Sequence, residues 1–144
     1  MKMGNMHTLV KILTSITMIK KTNILGIGTD IIAISRFAKS LSKHGDKFLD
    51  KIFTKKEQQY CKKYADSTPR FAARFSAKEA VSKALGTGFN ELLSFLDIEI
   101  TNDEKGKPHV ILSDKVKNHF GSPSFEISLS HCKEYATATV IALN

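Results

Sequence analysis

The sequence is poor in cysteine, and the two residues that it has, Cys61 and Cys132, do not form a CxxC pair. This scarcity argues against a disulfide framework and against a cysteine-rich zinc site, and it fits a reducing cytoplasm. The sequence also lacks any apolar run that approaches the roughly 18 residues needed by a membrane-spanning helix. We therefore expect a soluble, cytoplasmic protein that does not act in a membrane.

Several well-known site signatures are absent as well. Gly26 and Gly28 begin a dinucleotide-binding fingerprint, but its third glycine would fall at a position occupied by Ile31. The sequence has no Walker lysine after a glycine-rich loop, no HExxH motif and no nucleophile elbow. The chemistry of this protein must therefore rest on other residues.

The length of the chain indicates the number of domains, and its charge indicates the kind of partner. A chain of 144 residues suits one compact domain. It has 22 lysines and arginines against 14 aspartates and glutamates, which gives a net charge of +8. Such a positive field favours anionic partners, and nucleic acids, phosphate-rich ligands and acidic proteins all fit it.

The first 22 residues combine lysines with a short apolar run, as a signal peptide does. Lys11 interrupts that run, and no small-residue cleavage pattern follows it. We interpret residues 1–22 as a dispensable extension, or as the result of an upstream start codon chosen in place of Met18. The folded domain is expected to span residues 23–144.

Apolar patterning predicts an α+β domain in which an antiparallel sheet packs against a long central helix. Residues 24–28 form a predicted strand, followed by a tight turn at Thr29 and Asp30 and an amphipathic helix from Ile31. The long helix is predicted over 70–85, because Pro69 precedes it and Gly86 follows it. The other predicted elements are a short helix at 48–53, a helix at 55–64 with a capping box, strands at 97–101, 109–112, 125–129 and 135–143, and a short helix at 114–120.

One face of the long helix is predicted to be cationic, because Arg70, Arg74, Lys78 and Ser82 follow one another in steps of four residues. A basic helix and a high isoelectric point are also typical of a binding module for RNA or nucleotides. That module is the main alternative to an enzyme.

Three polar residues are the best candidates for chemistry. Asp30 and Glu79 could together hold Mg²⁺, which binds a few carboxylates and leaves positions for water and phosphate oxygens. Equally, Asp30 could cap a helix and Glu79 could pair with Lys83. His131 either packs at the end of its strand, or binds a phosphate or moves a proton. The residues alone leave these interpretations open.

A set of motifs, in order between about residue 24 and residue 143, resembles the holo-[acyl-carrier-protein] synthases, the small bacterial 4′-phosphopantetheinyl transferases. The motifs that carry this resemblance are GIGTDI at 26–31, Arg36, RFAARFSAKEA at 70–80, SKALGTG at 82–88, GKP at 106–108 and SLSH at 128–131.

The resemblance implies transfer of 4′-phosphopantetheine from coenzyme A to a serine of apo acyl carrier protein in fatty acid biosynthesis, with release of adenosine 3′,5′-bisphosphate. Asp30 and Glu79 would bind Mg²⁺, Glu79 would also take up the serine proton directly or through a metal-bound water, and Lys83 would stabilise the pyrophosphate. A homotrimer with active sites between neighbouring subunits is implied as well. The further coenzyme contacts that it implies are Arg74, Lys78, Ser82, Gly86 and His131.

The positive charge acquires a specific meaning from this resemblance, because acyl carrier proteins are acidic and a basic patch would steer their encounter. Arg36 is the first docking residue expected, with Lys47 and Lys51 as helpers, although solvated lysines beside Phe48 and Ile52 explain the last two equally well. Nucleic acid is not an expected partner under this interpretation. A peptidyl or other carrier domain is an alternative acceptor.

Overall fold

A computed structural model describes Met6, residues 8–11 and residues 23–144. Most of the segment 1–22, which the sequence predicts to be dispensable, lies outside the described residues. Within the described ranges, no helix combines the length and the apolar character needed to cross a membrane.

Residues 23–144 form helices and strands in an order that the sequence largely predicts. We number the strands β1 to β5 and the helices α1 to α5 along the chain. They are β1 (Ile24–Ala33), α1 (Ile34–His44), α2 (Asp46–Ile52), α3 (Lys55–Lys62), α4 (Thr68–Ala84), a 3-10 helix (Phe95–Asp97), β2 (Ile98–Asn102), β3 (Pro108–Leu112), α5 (Asp114–Phe120), β4 (Ser124–His131) and β5 (Tyr135–Leu143).

The strands form two antiparallel sheets. One has three strands in the order β1-β5-β4, and the other is the hairpin of β2 and β3. The long helix α4 packs against the three-stranded sheet. The predicted α+β fold, with antiparallel strands against a long helix, is therefore confirmed, and its strands are divided between two sheets.

Small residues allow α4 to lie unusually close to that sheet. On β5, Ala136, Ala138 and Ala142 are buried beneath the helix. On β1, a Cβ atom added at Gly26 would lie 2.1 Å from the carbonyl oxygen of Ala84, and one added at Gly28 would lie 1.8 Å from that of Ala80. These distances are far below van der Waals contact, so only glycine fits at either position.

The predicted turn at Thr29 and Asp30 is wrong. The strand β1 continues to Ala33, and Asp30 pairs with Ala138 of β5 in the middle of the sheet. The two glycines before it serve close helix packing and not a turn. Helix α1 begins only at Ile34, with Ala33 as its N-cap, so Asp30 does not cap it.

Predictions made from helix-end signals are confirmed more closely. Helix α4 has a proline in its first turn and ends just before Gly86. At the start of α3, the backbone N–H of Thr54 donates to Glu57 Oε2 over 2.8 Å, and the N–H of Glu57 donates to Thr54 Oγ1 over 3.3 Å. This is the capping box that the sequence predicts.

Candidate active site

Asp30 and Glu79 line the same cleft, which has a volume of about 320 Å³. Side chains alternate along a strand, so Asp30 points to the same side of β1 as Gly28, towards α4. Because Gly28 allows β1 to lie against Ala80, the carboxylate of Asp30 is brought beside the neighbouring residue of the helix, Glu79. The close packing of strand and helix is therefore what brings the two carboxylates together.

Lys83, one turn further along α4, supplies a cation to this pair. Its Nζ donates to Asp30 Oδ1 over 3.1 Å and to the carbonyl oxygen of Thr29 over 2.9 Å. The partner of Lys83 is thus a carboxylate on the strand, and the i, i+4 ion pair with Glu79 is not what forms. The positive charge still lies close enough to Glu79 to act on its ionisation.

Burial raises the pKa of the Glu79 carboxyl above its ordinary value, the negative charge of Asp30 raises it further, and Lys83 opposes the rise. A divalent cation bound between the two carboxylates would offset the charge of Asp30 that disfavours the ionised form of Glu79. The described residues contain no group of three or more histidine, cysteine or acidic side chains that could enclose a metal. Two carboxylates with open positions fit Mg²⁺ in a site that also receives phosphate oxygens and water.

Arg74 and His131, both predicted coenzyme contacts, line a second cleft of about 430 Å³. Arg70 and Lys107 also line it, the latter from the loop between β2 and β3. Four basic side chains in one cleft suit a multiply phosphorylated ligand. Tyr60 and Asn102 line this cleft too, and the sequence analysis missed both of them.

The two clefts are separate within one chain. Among the described residues, none lines both the cleft of Asp30 and Glu79 and that of Arg74 and His131. The structure therefore brings together Asp30, Glu79 and Lys83 on one side, and Arg74 and His131 on another. A single chain does not join the two sets.

Lys78 does not lie where the predicted contact with coenzyme requires it. Its side chain is fully buried, and its Nζ donates to the carbonyl oxygen of Ile52 over 2.6 Å, to Glu57 Oε2 over 2.7 Å and to the carbonyl oxygen of Phe95 over 3.0 Å. Burial lowers the pKa of Lys78, although Glu57 acts in the opposite direction. All three N–H donors are used inside the protein, so Lys78 is not a coenzyme contact.

The prediction of a cationic face on the long helix is also wrong. Arg74 and Ser82 are buried like Lys78, because α4 is covered on several sides as the central helix of the fold. The exposed stripe of positive charge that favoured an RNA-binding module does not exist on this helix. Arg70 and Arg74 instead line the second cleft, and Lys78 lies in the interior.

Ser82 and Gly86 lie near Glu79 and Lys83 at the end of α4. The hydroxyl of Ser82 donates to the carbonyl oxygen of Glu79 over 2.8 Å. Gly86 has a φ of +76°, a left-handed conformation that glycine adopts without strain, and its N–H donates to the carbonyl oxygen of Lys83 over 3.0 Å. Their contact with coenzyme stays a prediction.

Of the three predicted docking residues, one lines the cleft of the carboxylates and two line a neighbouring depression. Arg36 lines that cleft together with Phe48. Lys47 and Lys51 are exposed and line a neighbouring depression, of which Phe48 is also a wall. A basic surface with an aromatic centre therefore adjoins Asp30 and Glu79.

Comparison with known proteins finds a matching family model and similar curated sequences. The family model of the 4′-phosphopantetheinyl transferase superfamily matches residues 26–140. A holo-[acyl-carrier-protein] synthase of Protochlamydia amoebophila is 50% identical over 117 residues, which cover 81% of this chain and 96% of that protein.

Solved structures give the same result. The holo-(acyl-carrier-protein) synthase of Bacillus anthracis in complex with CoA (3′,5′-ADP) matches with a TM-score of 0.73 and 42% identity, covering 84% of this chain and 97% of that one. The Helicobacter pylori enzyme in complex with coenzyme A matches with a TM-score of 0.75 and 37% identity, covering 81% and 98%.

Proposed function

The chain belongs to the 4′-phosphopantetheinyl transferase superfamily, and from that premise we propose that it transfers 4′-phosphopantetheine from coenzyme A to a serine of apo acyl carrier protein. The observation that carries this proposal is that Asp30 and Glu79 line one cleft and that Lys83 donates a hydrogen bond to Asp30. The products are holo acyl carrier protein and adenosine 3′,5′-bisphosphate. The reaction belongs to fatty acid biosynthesis in the cytoplasm, where the free thiols of Cys61 and Cys132 stay reduced.

Asp30 and Glu79 would hold Mg²⁺, as their mutual repulsion and their open positions suit it. The chemistry that the ion supplies when bound is neutralisation of the pyrophosphate charge during phosphoryl transfer. Lys83 adds a fixed positive charge on the same side. Most of the rate enhancement then comes from positioning and electrostatics.

The reaction needs a proton acceptor, because the serine hydroxyl must lose its proton as its oxygen bonds to the β-phosphorus. In the same step the bond from that phosphorus to the oxygen bridging to the α-phosphorus breaks, and adenosine 3′,5′-bisphosphate leaves. Glu79 is the acceptor that this chain offers. Its carboxylate lines the cleft beside Asp30, and it would take up the proton directly or through a metal-bound water.

Arg74 and His131 hold the nucleotide part of coenzyme A in the second cleft, with Ser82 and Gly86 contacting it from the end of α4. The basic lining of this cleft supports the assignment, since guanidinium groups match phosphate oxygens in charge and geometry. Lys78 has no part in it.

A homotrimer explains how separate clefts serve one reaction. The face of the three-stranded sheet that points away from α4 carries Ile27, Ile31 and Tyr135, which are 61%, 67% and 49% exposed. Such an apolar face is suited to self-association. Ile31 of this face also lines the cleft of Asp30 and Glu79, so a neighbouring copy seated there would lie beside that cleft, where its Arg74 and His131 are needed.

Subunit complementation tests this assembly. Mixing unfolded Glu79→Gln and His131→Ala chains and refolding them together should restore activity at about a quarter of the sites, because chance pairing leaves that share with both residues intact. Restoration is absent if each chain contains a whole site. Light scattering measures the trimer directly.

The docking surface for acyl carrier protein consists of Arg36, Lys47 and Lys51 around Phe48. It adjoins the carboxylates, so a carrier bound there presents its serine to Glu79.

We assign residues 1–22 no role in the transfer reaction. A chain that begins at residue 23 should therefore transfer the group at the same rate as the full chain.

Intact-mass spectrometry tests the function itself. Apo acyl carrier protein, coenzyme A and Mg²⁺ are incubated with the full chain, with Glu79→Gln, or with the full chain and EDTA. The carrier should gain the mass of phosphopantetheine only with the untreated full chain. Glu91→Gln, which removes an exposed carboxylate away from both clefts, is the matched control and should retain the activity. No mass gain with folded wild-type protein would contradict the proposal for this acceptor.

A further inference from the structure

Tyr60 in α3 and Tyr64, two residues beyond its end, are stacked against two arginines of α4. The guanidinium carbon of Arg74 lies 4.1 Å from the centre of the Tyr60 ring, and that of Arg70 lies 3.2 Å from the centre of the Tyr64 ring. The tyrosines are four residues apart, as are the arginines, so each arginine meets a ring on the facing segment. The hydroxyl of Tyr64 also donates to that of Tyr60 over 3.4 Å.

The environment of Arg74 makes its stack the important one of the two. Arg74 is only 3% exposed, yet it forms no ion pair with any acidic side chain of the described residues. One guanidinium nitrogen, Nη2, donates to Asn102 Oδ1, and the Nε has no partner within the described part of the chain. A buried cation that lacks an anion is costly unless other groups stabilise it. The face of the Tyr60 ring provides such stabilisation.

We propose that Tyr60 is a positioning residue of the coenzyme cleft, which holds the Arg74 guanidinium in the orientation that receives an anionic group of the coenzyme. This inference rests on the proposed function. The ring confines the guanidinium to one plane, and Asn102 fixes its rotation within that plane. Arg74 therefore enters binding already oriented, and little rotamer freedom is lost when the ligand arrives.

We assign this task to the ring of Tyr60, because Arg74 lies over its face, although Arg74 also interacts with the Tyr60 hydroxyl. A cation is attracted by the face of an aromatic ring, which phenylalanine also has. Tyr64 and Arg70 lie closer to solvent, where Tyr64 is 39% exposed and the same attraction is weaker. The stack of Tyr64 on Arg70 should therefore matter less.

The test measures kcat and KM for coenzyme A in Tyr60→Leu, Tyr60→Phe and Tyr64→Leu. Tyr60→Leu should raise KM about ten-fold, the loss expected for a desolvated cation–ring contact, while kcat changes less than about two-fold. Tyr60→Phe should restore the wild-type KM, and Tyr64→Leu should raise it less than Tyr60→Leu does. Calorimetric binding of adenosine 3′,5′-bisphosphate should weaken in the same order, independently of turnover.

A double-mutant cycle separates positioning from direct contact. If Tyr60 acts through Arg74, then Tyr60→Leu has no further effect on KM in the Arg74→Ala background. An undiminished effect there would mean that the ring itself touches the coenzyme, and it would overturn the inference. An unchanged KM in Tyr60→Leu, with active wild-type protein, overturns the inference alone. Wild-type protein that fails to transfer the group overturns the proposed function, and the inference with it.

Discussion

Replacing Gly28 by alanine is the substitution that most directly perturbs the packing beneath the site. The new Cβ would lie 1.8 Å from the carbonyl oxygen of Ala80 and 2.7 Å from the backbone nitrogen of Ala84. Ordinary contact begins near 3.4 Å, so β1 and α4 would have to separate by about 1.6 Å. Both obstacles are backbone atoms of a helix, which cannot rotate away as a side chain would.

Two measurable losses follow from that separation. The free energy of unfolding should fall by about 3 kcal/mol, the upper part of the range for overpacked interiors. The transfer rate should fall about 100-fold, because Asp30 lies two residues further along β1 and would shift by more than about 1 Å relative to Glu79. Urea denaturation followed by circular dichroism measures the first loss, and initial rates of transfer measure the second.

Gly121→Ala is the control for glycine replacement as such. Gly121 has a φ of +74°, and a Cβ added there meets no atom within 4 Å. It should cost only about 1 kcal/mol for the left-handed conformation and leave the transfer rate unchanged. A Gly28→Ala protein that is as stable and as active as Gly121→Ala would refute the close-packing argument.

Three further substitutions test other parts of the structure. Lys78→Met should lower the free energy of unfolding by about 3–5 kcal/mol in urea denaturation, because it leaves Glu57 buried without its cation; a loss below about 1 kcal/mol would contradict the buried ion pair. Burial alone would raise the pKa of Asp97, but hydrogen bonds from Ser94 and Ser113 hold it well below the ordinary value, so its stabilisation exists above about pH 4 and is lost as the pH falls through the lowered pKa. Asp97→Asn should therefore cost about 1–2 kcal/mol at neutral pH and less near pH 2, and equal costs at both would count against this reasoning. Arg36→Glu should raise KM for acyl carrier protein and leave KM for coenzyme A unchanged in the transfer assay, whereas a change in the second alone would assign Arg36 to the coenzyme.

The parts of the fold predicted correctly are those whose signals are local. Pro69 and Gly86 mark the ends of α4, and the Thr54 and Glu57 capping box marks the start of α3. A helix end is determined by residues within one turn of it, so a sequence reveals it. Strand alternation from residue 98 onwards is equally local.

The errors concern contacts between distant parts of the chain. Two glycines near a strand end suggest a turn, and only the approach of Ala80 and Ala84 shows that they serve packing. Lys78 lies on a helix face whose burial depends on α3 and on the residues near Phe95. Neither partner is visible in the local pattern.

The residues of the candidate site also depend on contacts between distant parts of the chain. The pairing of Asp30 with Glu79 was predicted through family resemblance, because composition and spacing left it open. No feature of the sequence indicated a functional role for Tyr60. A tyrosine on an amphipathic helix is most often a packing residue, and its role depends on Arg74, which is 14 residues away along the chain.

We propose that Asp30 and Glu79 together form the metal-dependent centre of the transfer reaction. The most direct test is the initial rate of phosphopantetheine transfer as a function of Mg²⁺ concentration in wild-type protein and in Asp30→Asn. If both carboxylates bind Mg²⁺, the wild-type rate should saturate with Mg²⁺, and Asp30→Asn should need a much higher concentration or fail to saturate. The same Mg²⁺ dependence in both proteins would contradict it.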